Sequence, residues 1–267
     1  MEGGIAIHLA PAALGHIGTF AVTNTLVTAV TVSLLLILFA FLAGRSLKLR
    51  PGKFQAVVEL LISFPYEFVR TTLENDKVAN RIFPVVMTIF LFVLCVNWFG
   101  LLPFVGSIGI NGVGHDGHAA LIPFLYPGAT DLNFTLMLAI VAFFTIEVFG
   151  FATLGAAKYA GKFISFKSPL AFAIGIIELV TEFARLISFS FRLFGNIFAG
   201  KVLILVAMFF IPLFLPIPIL AFEMVVGLIQ AAIFALLTLF FTRSAISLHG
   251  EHEEHASEGD GRHPAHA

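Results

Sequence analysis

An arginine and an asparagine lie inside a stretch of sequence that is otherwise typical of a membrane-buried helix. Arg192 and Asn196 belong to residues 188–200, SFSFRLFGNIFAG. A permanent cation in hydrocarbon costs several kcal/mol unless it faces water, a partner or a cavity. Arginine does not escape by losing its proton, because its pKa lies above about 12. Arg192 is therefore predicted to be the centre of an ion-handling site.

Further polar side chains share the helical face of Arg192. With about 100° per residue, the polar members of this face fall within roughly 80° of arc and extend about 27 Å along the helix. They are Glu178, Glu182, Arg185, Arg192 and Asn196. A polar stripe on an apolar helix must face water or protein. The pattern predicts a hydrated, acid-lined path that leads from Glu178 to the fixed charge of Arg192.

Lys201 belongs to the same predicted helix but lies on another face, about 140° away from Glu178. It therefore needs a different partner, and Glu223 in the following helix is the one that a hairpin would bring opposite. Gln230 follows Glu223 at a spacing of two helical turns, so it shares the face of Glu223.

Two of these charge pairs have a purely structural alternative. Glu182 and Arg185 stand at the i, i+3 spacing that forms ion pairs along one helix, and Lys201 with Glu223 would join two helices in the same way. Glu147 is a lone carboxylate midway along an earlier apolar segment. It is either protonated and packed, or it lines an aqueous access path.

The composition indicates a polytopic α-helical membrane protein. Hydrophobic residues make up 59% of the chain, charged residues 12%, and the mean hydropathy is +1.01, whereas soluble domains carry about 25% charged residues. The apolar runs are long and continuous, which disfavours a barrel. No phosphate-binding loop, dinucleotide motif or nucleophile–base pattern is present. We therefore predict a protein without catalysis of its own, without a cofactor and without a metal site.

The fold class predicted is all-α, with five membrane-embedded helices and one amphipathic surface helix. The embedded segments are residues 23–43, 81–104, 131–156, 169–211 and 218–247. Segment 53–80 mixes apolar and charged positions as surface helices do, and 105–130 is predicted to be a loop. Because 169–211 is far longer than a membrane needs, it must tilt strongly or lie nearly in the membrane plane. In this topology it forms a hairpin with the last helix.

The distribution of basic residues predicts the domain organisation and the orientation. Residues 1–248 form one integral membrane domain, and the polar, histidine-rich tail 249–267 is expected to be disordered. Apart from the three in the long helix, all of the 15 Lys and Arg residues fall in segments on one side of this topology. The positive-inside rule then places the N-terminus outside and the C-terminus in the cytoplasm, or its organellar equivalent. The expected location is the inner membrane of a bacterium.

These motifs closely resemble subunit a of the F-type rotary ATP synthase, and the resemblance covers most of the chain. Besides Thr23 and Asn24, the matching segments are 97–103 (NWFGLLP), 129–135 (ATDLNFT), 190–200 (SFRLFGNIFAG) and 230–234 (QAAIF). The RLFGN element in a long helix, followed by a glutamine in the last helix, is the most specific of them.

The resemblance implies a role for each residue of the stripe. Arg192 corresponds to the essential stator arginine of the family, and Glu178 to an acid of the cytoplasmic half-channel. Asn196 and Gln230 correspond to polar residues near the arginine. Lys201 and Glu223 occupy places where the family often keeps an acid and a histidine; the lysine departs from that pattern, and a paired lysine is a poor proton relay near neutral pH.

The implied function is that of a stator subunit with two half-channels, which deliver protons to and remove them from the carboxylates of a ring of c subunits. The implied partners are this ring, b-type peripheral stalk subunits, the lipid bilayer and, indirectly, the catalytic sector, with no nucleic acid. The ring would set whether the ion is H⁺ or Na⁺. Two other classes remain open: a stand-alone channel or transporter, which would conduct without partners, and a non-conducting scaffold, in which Arg192→Ala would leave coupled activity intact.

Overall fold

The computed structural model describes residues 11–45, 47–113, 119–155, 169–212 and 214–247. Within these ranges the chain forms six α-helices. In chain order they are α1 Asn24–Arg45, α2 Lys53–Leu73, α3 Asp76–Phe99, α4 Leu132–Leu154, α5 Pro169–Phe210 and α6 Pro216–Ser247. All except α2 are long and apolar enough to cross a membrane. The prediction of a polytopic helical membrane protein with five embedded helices is confirmed.

Two helix boundaries differ from the sequence-based prediction. The amphipathic helix ends at Leu73 instead of residue 80, and the following span begins at Asp76 instead of residue 81. Glu74 adopts a left-handed conformation (φ 53°), which ends α2. The side chain of Asn75 then accepts hydrogen bonds from the backbone N–H groups of Lys77 and Val78 at 3.1 and 3.2 Å. This N-cap satisfies the free donors of a new helix and starts α3 at Asp76.

Two short antiparallel hairpins were not expected in an all-α chain. Strands β1 (Ala13–Ile17) and β2 (Phe20–Thr23) precede α1. Strands β3 (Gly109–Val113) and β4 (Ala119–Pro123) lie within the segment predicted to be a loop. A short 3₁₀ helix, Gly128–Thr130, then leads into α4.

The long helix α5 contains 42 residues, which corresponds to about 63 Å at 1.5 Å per residue. This is roughly twice the thickness of the hydrocarbon layer, so the helix can stay within the membrane only if it is strongly tilted. It ends just before Pro212, and α6 begins at Pro216 rather than at Pro218, because proline is tolerated in the first turn of a helix.

The core lies where α3, α4, α5 and α6 meet. Alanines at the centre of the contact, such as Ala139, Ala142 and Ala231, are fully buried. Small side chains let membrane helices approach closely. Phe189 of α5 and Phe234 of α6 fill the remaining space, with ring centroids 5.1 Å apart. This packing sets the position of α5, the helix that carries the polar stripe.

The two ends of the bundle are defined by separate contacts. At one end, Trp98 of α3 donates a hydrogen bond to the carbonyl of Met224 near the start of α6 (2.9 Å). At the other end, Arg243 of α6 bonds to Glu74 after α2 (3.0 Å). Gln55 near the start of α2 bonds to the backbone of Lys48 and so holds the preceding residues against this helix. The predicted disordered tail and the lysine-bearing segment 156–168 lie outside the described residues.

Candidate functional site

Arg192 is exposed on the outer face of α5. Its nearest polar contact is Ser188, one turn earlier, whose hydroxyl accepts a hydrogen bond from a guanidinium nitrogen at 3.4 Å. None of the ion pairs found among the described residues involves Arg192. The residues that surround it along this face are small: Ala184, Ser188, Gly195 and Ala199 are also exposed. A positive charge is thus presented on a surface that a partner helix can approach closely.

Asn196, one turn after Arg192, joins the long helix to the last one. Its amide nitrogen donates a hydrogen bond to the side-chain oxygen of Gln230 in α6 at 2.8 Å. The amide nitrogen of Gln230 is buried and has no hydrogen-bond partner among the described residues. An unsatisfied buried donor marks a place where water or an ion can bind. The pair therefore provides a polar position between the two helices beside Arg192.

Glu182 and Arg185 form the ion pair that their spacing indicated. The distance between the guanidinium and carboxylate atoms is 2.5 Å, and the Glu182 side chain is almost completely buried. Arg185 also lies against the ring of Phe241 in α6, with its guanidinium carbon 3.8 Å from the ring centroid. This cation–π contact extends the pair to the second helix of the hairpin. The arrangement favours the structural alternative for this pair.

The two remaining carboxylates of the predicted path, Glu178 and Glu147, lie towards the end of the bundle opposite to Trp98. Glu178 is half-buried on α5, one turn before Glu182. Glu147 is half-buried on α4, next to Ile146, which packs against Ala245 of α6. Both carboxylates therefore lie in the half of the bundle where α4 ends and α5 begins.

Lys201 and Glu223 do not form the expected ion pair. The ammonium nitrogen of Lys201 lies 3.3 Å from the ring centroid of Tyr126, in the connection before the 3₁₀ helix. The Glu223 carboxyl instead packs directly on Gly200, where a Cβ atom would collide with it. Among the described residues no ion pair within 4 Å joins the two side chains. The aromatic ring takes the place of the acid because it is the closer surface to the ammonium group.

Several polar contacts of the site region were missed by the sequence analysis. The hydroxyls of Thr135 in α4 and Ser190 in α5 lie 3.2 Å apart and are fully buried. The hydroxyl of Thr25 in α1 donates to the Asp131 carboxylate at 2.9 Å. The N–H of Tyr126 donates to the hydroxyl of Thr28. The first two contacts fall in segments whose motifs had been noted, but pairing across distant helices leaves no local pattern.

The described residues contain no cluster of three or more His, Cys, Asp or Glu side chains that could hold a metal ion. The polar groups of the site are one exposed guanidinium, several half-buried or buried carboxyls, and a pair of amides between α5 and α6. Such an arrangement can bind, orient and pass protons.

Comparisons with known proteins show which family the chain belongs to. Residues 25–243 match the family model described as ATP synthase A chain. The chain is 29% identical over 244 residues to ATP synthase subunit a of Moorella thermoacetica, an alignment that covers 91% of this chain and 99% of the relative. It is 33% identical over 236 residues to ATP synthase subunit a 2 of Pelobacter propionicus, with 88% and 91% covered. It is 30% identical over 237 residues to ATP synthase subunit a of Campylobacter fetus, with 89% and 95% covered. The chain therefore belongs to the ATP synthase A chain family, the non-catalytic, integral membrane stator component of the proton-translocating ATP synthase.

Proposed function

We propose that this chain forms two aqueous half-channels that exchange protons with the carboxylates of a ring of c subunits, and that Arg192 separates them. A proton enters through the outer half-channel and neutralises a ring carboxylate, which can then turn into lipid. An arriving protonated carboxylate releases its proton to the inner half-channel. The resulting one-way exchange couples ion flow to rotation of the ring.

One observation carries this proposal: Arg192 is exposed and has no carboxylate partner within the described part of the chain. A bare guanidinium in a membrane helix is strongly unfavourable unless a partner neutralises it. A carboxylate on a neighbouring subunit supplies that charge, and the small residues around Arg192 let the neighbouring helix come close. The guanidinium in turn favours the ionised form of the ring carboxylate and repels protons that would leak between the half-channels.

The outer half-channel is proposed to run between α5 and α6. Glu223 supplies a buried carboxyl, and Asn196 and Gln230 supply amides that lead from there towards Arg192. Support comes from the unsatisfied amide nitrogen of Gln230, which marks a buried place where a water can bind. Lys201 borders the same region.

The inner half-channel is proposed to start at Glu178, which is half-buried at the end of the bundle opposite to Trp98. Glu182 lies between Glu178 and Arg192 on the same helix and, because it is paired with Arg185, supports the wall of this path rather than carrying the proton. Glu147 on α4 contributes a second access point. The distance along α5 from Glu178 to Arg192 is about 21 Å at 1.5 Å per residue. This length lets the path reach the middle of the membrane from one surface.

The orientation and partners follow from the charge distribution. The basic residues flanking α2 belong to the end of the bundle that carries the Arg243–Glu74 contact, and the positive-inside rule assigns that end to the cytoplasm of a bacterial inner membrane. The N-terminus would then lie outside and the C-terminus inside. The assembly would include the c ring, b-type stalk subunits and the lipid bilayer, and the catalytic sector would be contacted indirectly.

The test is ATP-driven proton pumping by the whole complex in inverted vesicles that carry Arg192→Ala. We expect pumping to be lost while the subunit remains assembled, as checked by its co-purification with the ring. Ser188→Ala is the matched control, because it removes the only hydrogen bond of Arg192 within the described residues but keeps the charge. Normal pumping by Arg192→Ala in an intact complex would contradict the proposal and leave the stripe a structural role.

A further inference from the structure

We infer that Tyr126 is a positioning residue that keeps the Lys201 ammonium away from Glu223 and so leaves the Glu223 carboxyl able to carry protons. This inference rests on the proposed function, because it concerns the outer half-channel. It explains how a chain with a lysine at this place can still use the nearby acid as a proton carrier.

The first observation is the contact between Lys201 and Tyr126. The ammonium nitrogen lies 3.3 Å from the ring centroid, and both side chains are half-buried. A cation over an aromatic face is held by the ring quadrupole, and the attraction is stronger when the pair is shielded from water. Burial raises the pKa of the Tyr126 phenol, so the phenol stays neutral and the attraction is to the ring rather than to a phenolate.

The second observation is that Tyr126 is fixed from outside the hairpin. Its backbone N–H donates a hydrogen bond to the hydroxyl of Thr28 at 3.0 Å, and that hydroxyl in turn donates to the carbonyl of Asn24 at 3.0 Å. Thr28 and Asn24 are buried at the start of α1. The backbone at Tyr126 is therefore held by a helix that does not belong to the proposed path.

The third observation is the surroundings of Glu223. Its side chain is 5% exposed, and its carboxyl occupies the space that the missing side chain of Gly200 leaves free. None of the hydrogen bonds and ion pairs found among the described residues involves the Glu223 side chain. Lys201 follows Gly200 directly, but its side chain points about 100° away around the helix. Its ammonium group lies against the ring of Tyr126 instead of the acid.

These positions have a chemical consequence. A buried carboxylate beside an ammonium group stays ionised and loses its use as a carrier. The lysine side chain is long and flexible, with a point charge at its end. Without the ring, the ammonium of Lys201 would find its most favourable remaining partner in Glu223. Tyr126 prevents this pairing without adding a charge of its own to the half-channel.

The experiment measures ATP synthesis driven by an imposed proton gradient, with the whole complex reconstituted in liposomes. Tyr126→Phe keeps the ring and is expected to keep the rate within about twofold, because phenylalanine also binds cations. Tyr126→Leu removes the ring, and we expect the rate to fall by about tenfold or more. The backbone bond to Thr28 survives both changes, and co-purification with the ring checks assembly.

The decisive variant combines Tyr126→Leu with Lys201→Met. If Tyr126 acts by restraining Lys201, removal of the lysine returns the rate of the double variant to that of Lys201→Met alone. A double variant as slow as Tyr126→Leu would overturn the inference and leave Tyr126 a packing role. Three other results would overturn it as well. The first is a Tyr126→Leu rate that is unchanged. The others are rates of Tyr126→Phe or of Lys201→Met that are as low as that of Tyr126→Leu.

These outcomes are separate from the test of the proposed function. All of these variants keep Arg192. If the Tyr126 variants contradict the inference while Arg192→Ala abolishes pumping, only the positioning role of Tyr126 is disproved. Normal pumping by Arg192→Ala would instead remove the half-channel scheme, whatever the Tyr126 variants do.

Discussion

At the scale of single residues, the hairpin depends on charges that are buried together. Glu182 is 2% exposed and Arg185 is covered by Phe241, so each side chain has the other as a close charged partner in a place with little water. A buried pair of this kind adds little net stability over apolar packing, but the loss of one partner leaves a buried charge without compensation.

Glu182→Gln is therefore expected to destabilise the subunit by up to about 3–5 kcal/mol, because Arg185 would remain charged and largely shielded from water. The measurement is the temperature at which the detergent-solubilised complex loses this subunit. Glu67→Gln is the matched control, since the Arg70–Glu67 pair has the same spacing but is exposed on α2, and exposed pairs contribute little. Equal thermal shifts in the two variants would show that Arg185 is solvated after all.

The residues of the site could be predicted only in part. The positions of Arg192, Asn196 and Gln230 follow from helical spacing and from family motifs, and the Asn196–Gln230 contact joins two of them. The partner of Lys201 could not be found in this way. Tyr126 lies in a connection between elements, and its contact with α5 depends on how the whole bundle folds, which no local pattern encodes.

At the scale of elements, the helices were predictable and the hairpins were not. Long apolar runs identify spans because lipid forces the backbone to satisfy its own hydrogen bonds, so α1, α4 and α5 begin and end close to the predicted residues. Strands of four or five residues outside the spans carry too little alternation to be recognised. The break at Glu74 and Asn75 was missed because apolar and charged residues continue on both sides of it.

Gly200 tests how closely α5 and α6 must approach. A Cβ atom there would overlap the Glu223 carboxyl, so Gly200→Ala must move the acid or separate the helices. Overpacking of this kind costs about 1–3 kcal/mol. We expect less subunit in washed membranes and a lower unfolding temperature. Gly44→Ala in α1 meets open space and is the control. If Gly200→Ala had the same subunit level and unfolding temperature as Gly44→Ala, the Glu223 carboxyl would not be packed against Gly200.

At the scale of the whole molecule, the described part of the chain has one long helix face that is not packed against other helices. The α3, α4 and α6 helices pack into the core, while α5 leaves one face open over much of its length. Most of that face is apolar and suited to lipid, but around Arg192 it becomes small and polar. This change of side-chain size is the feature expected of a surface that meets a moving partner rather than lipid.

Gly195 lies on this face beside Arg192, and a Cβ atom there would meet nothing within 4 Å. Gly195→Leu is therefore compatible with the fold, but its side chain would stand between Arg192 and an approaching ring helix. We expect normal subunit levels with a loss of ATP-driven proton pumping by roughly tenfold, equivalent to about 1.4 kcal/mol. Gly195→Ala, which adds a single methyl group, should pump more than Gly195→Leu. Full pumping by Gly195→Leu would mean that the ring meets a different face of α5.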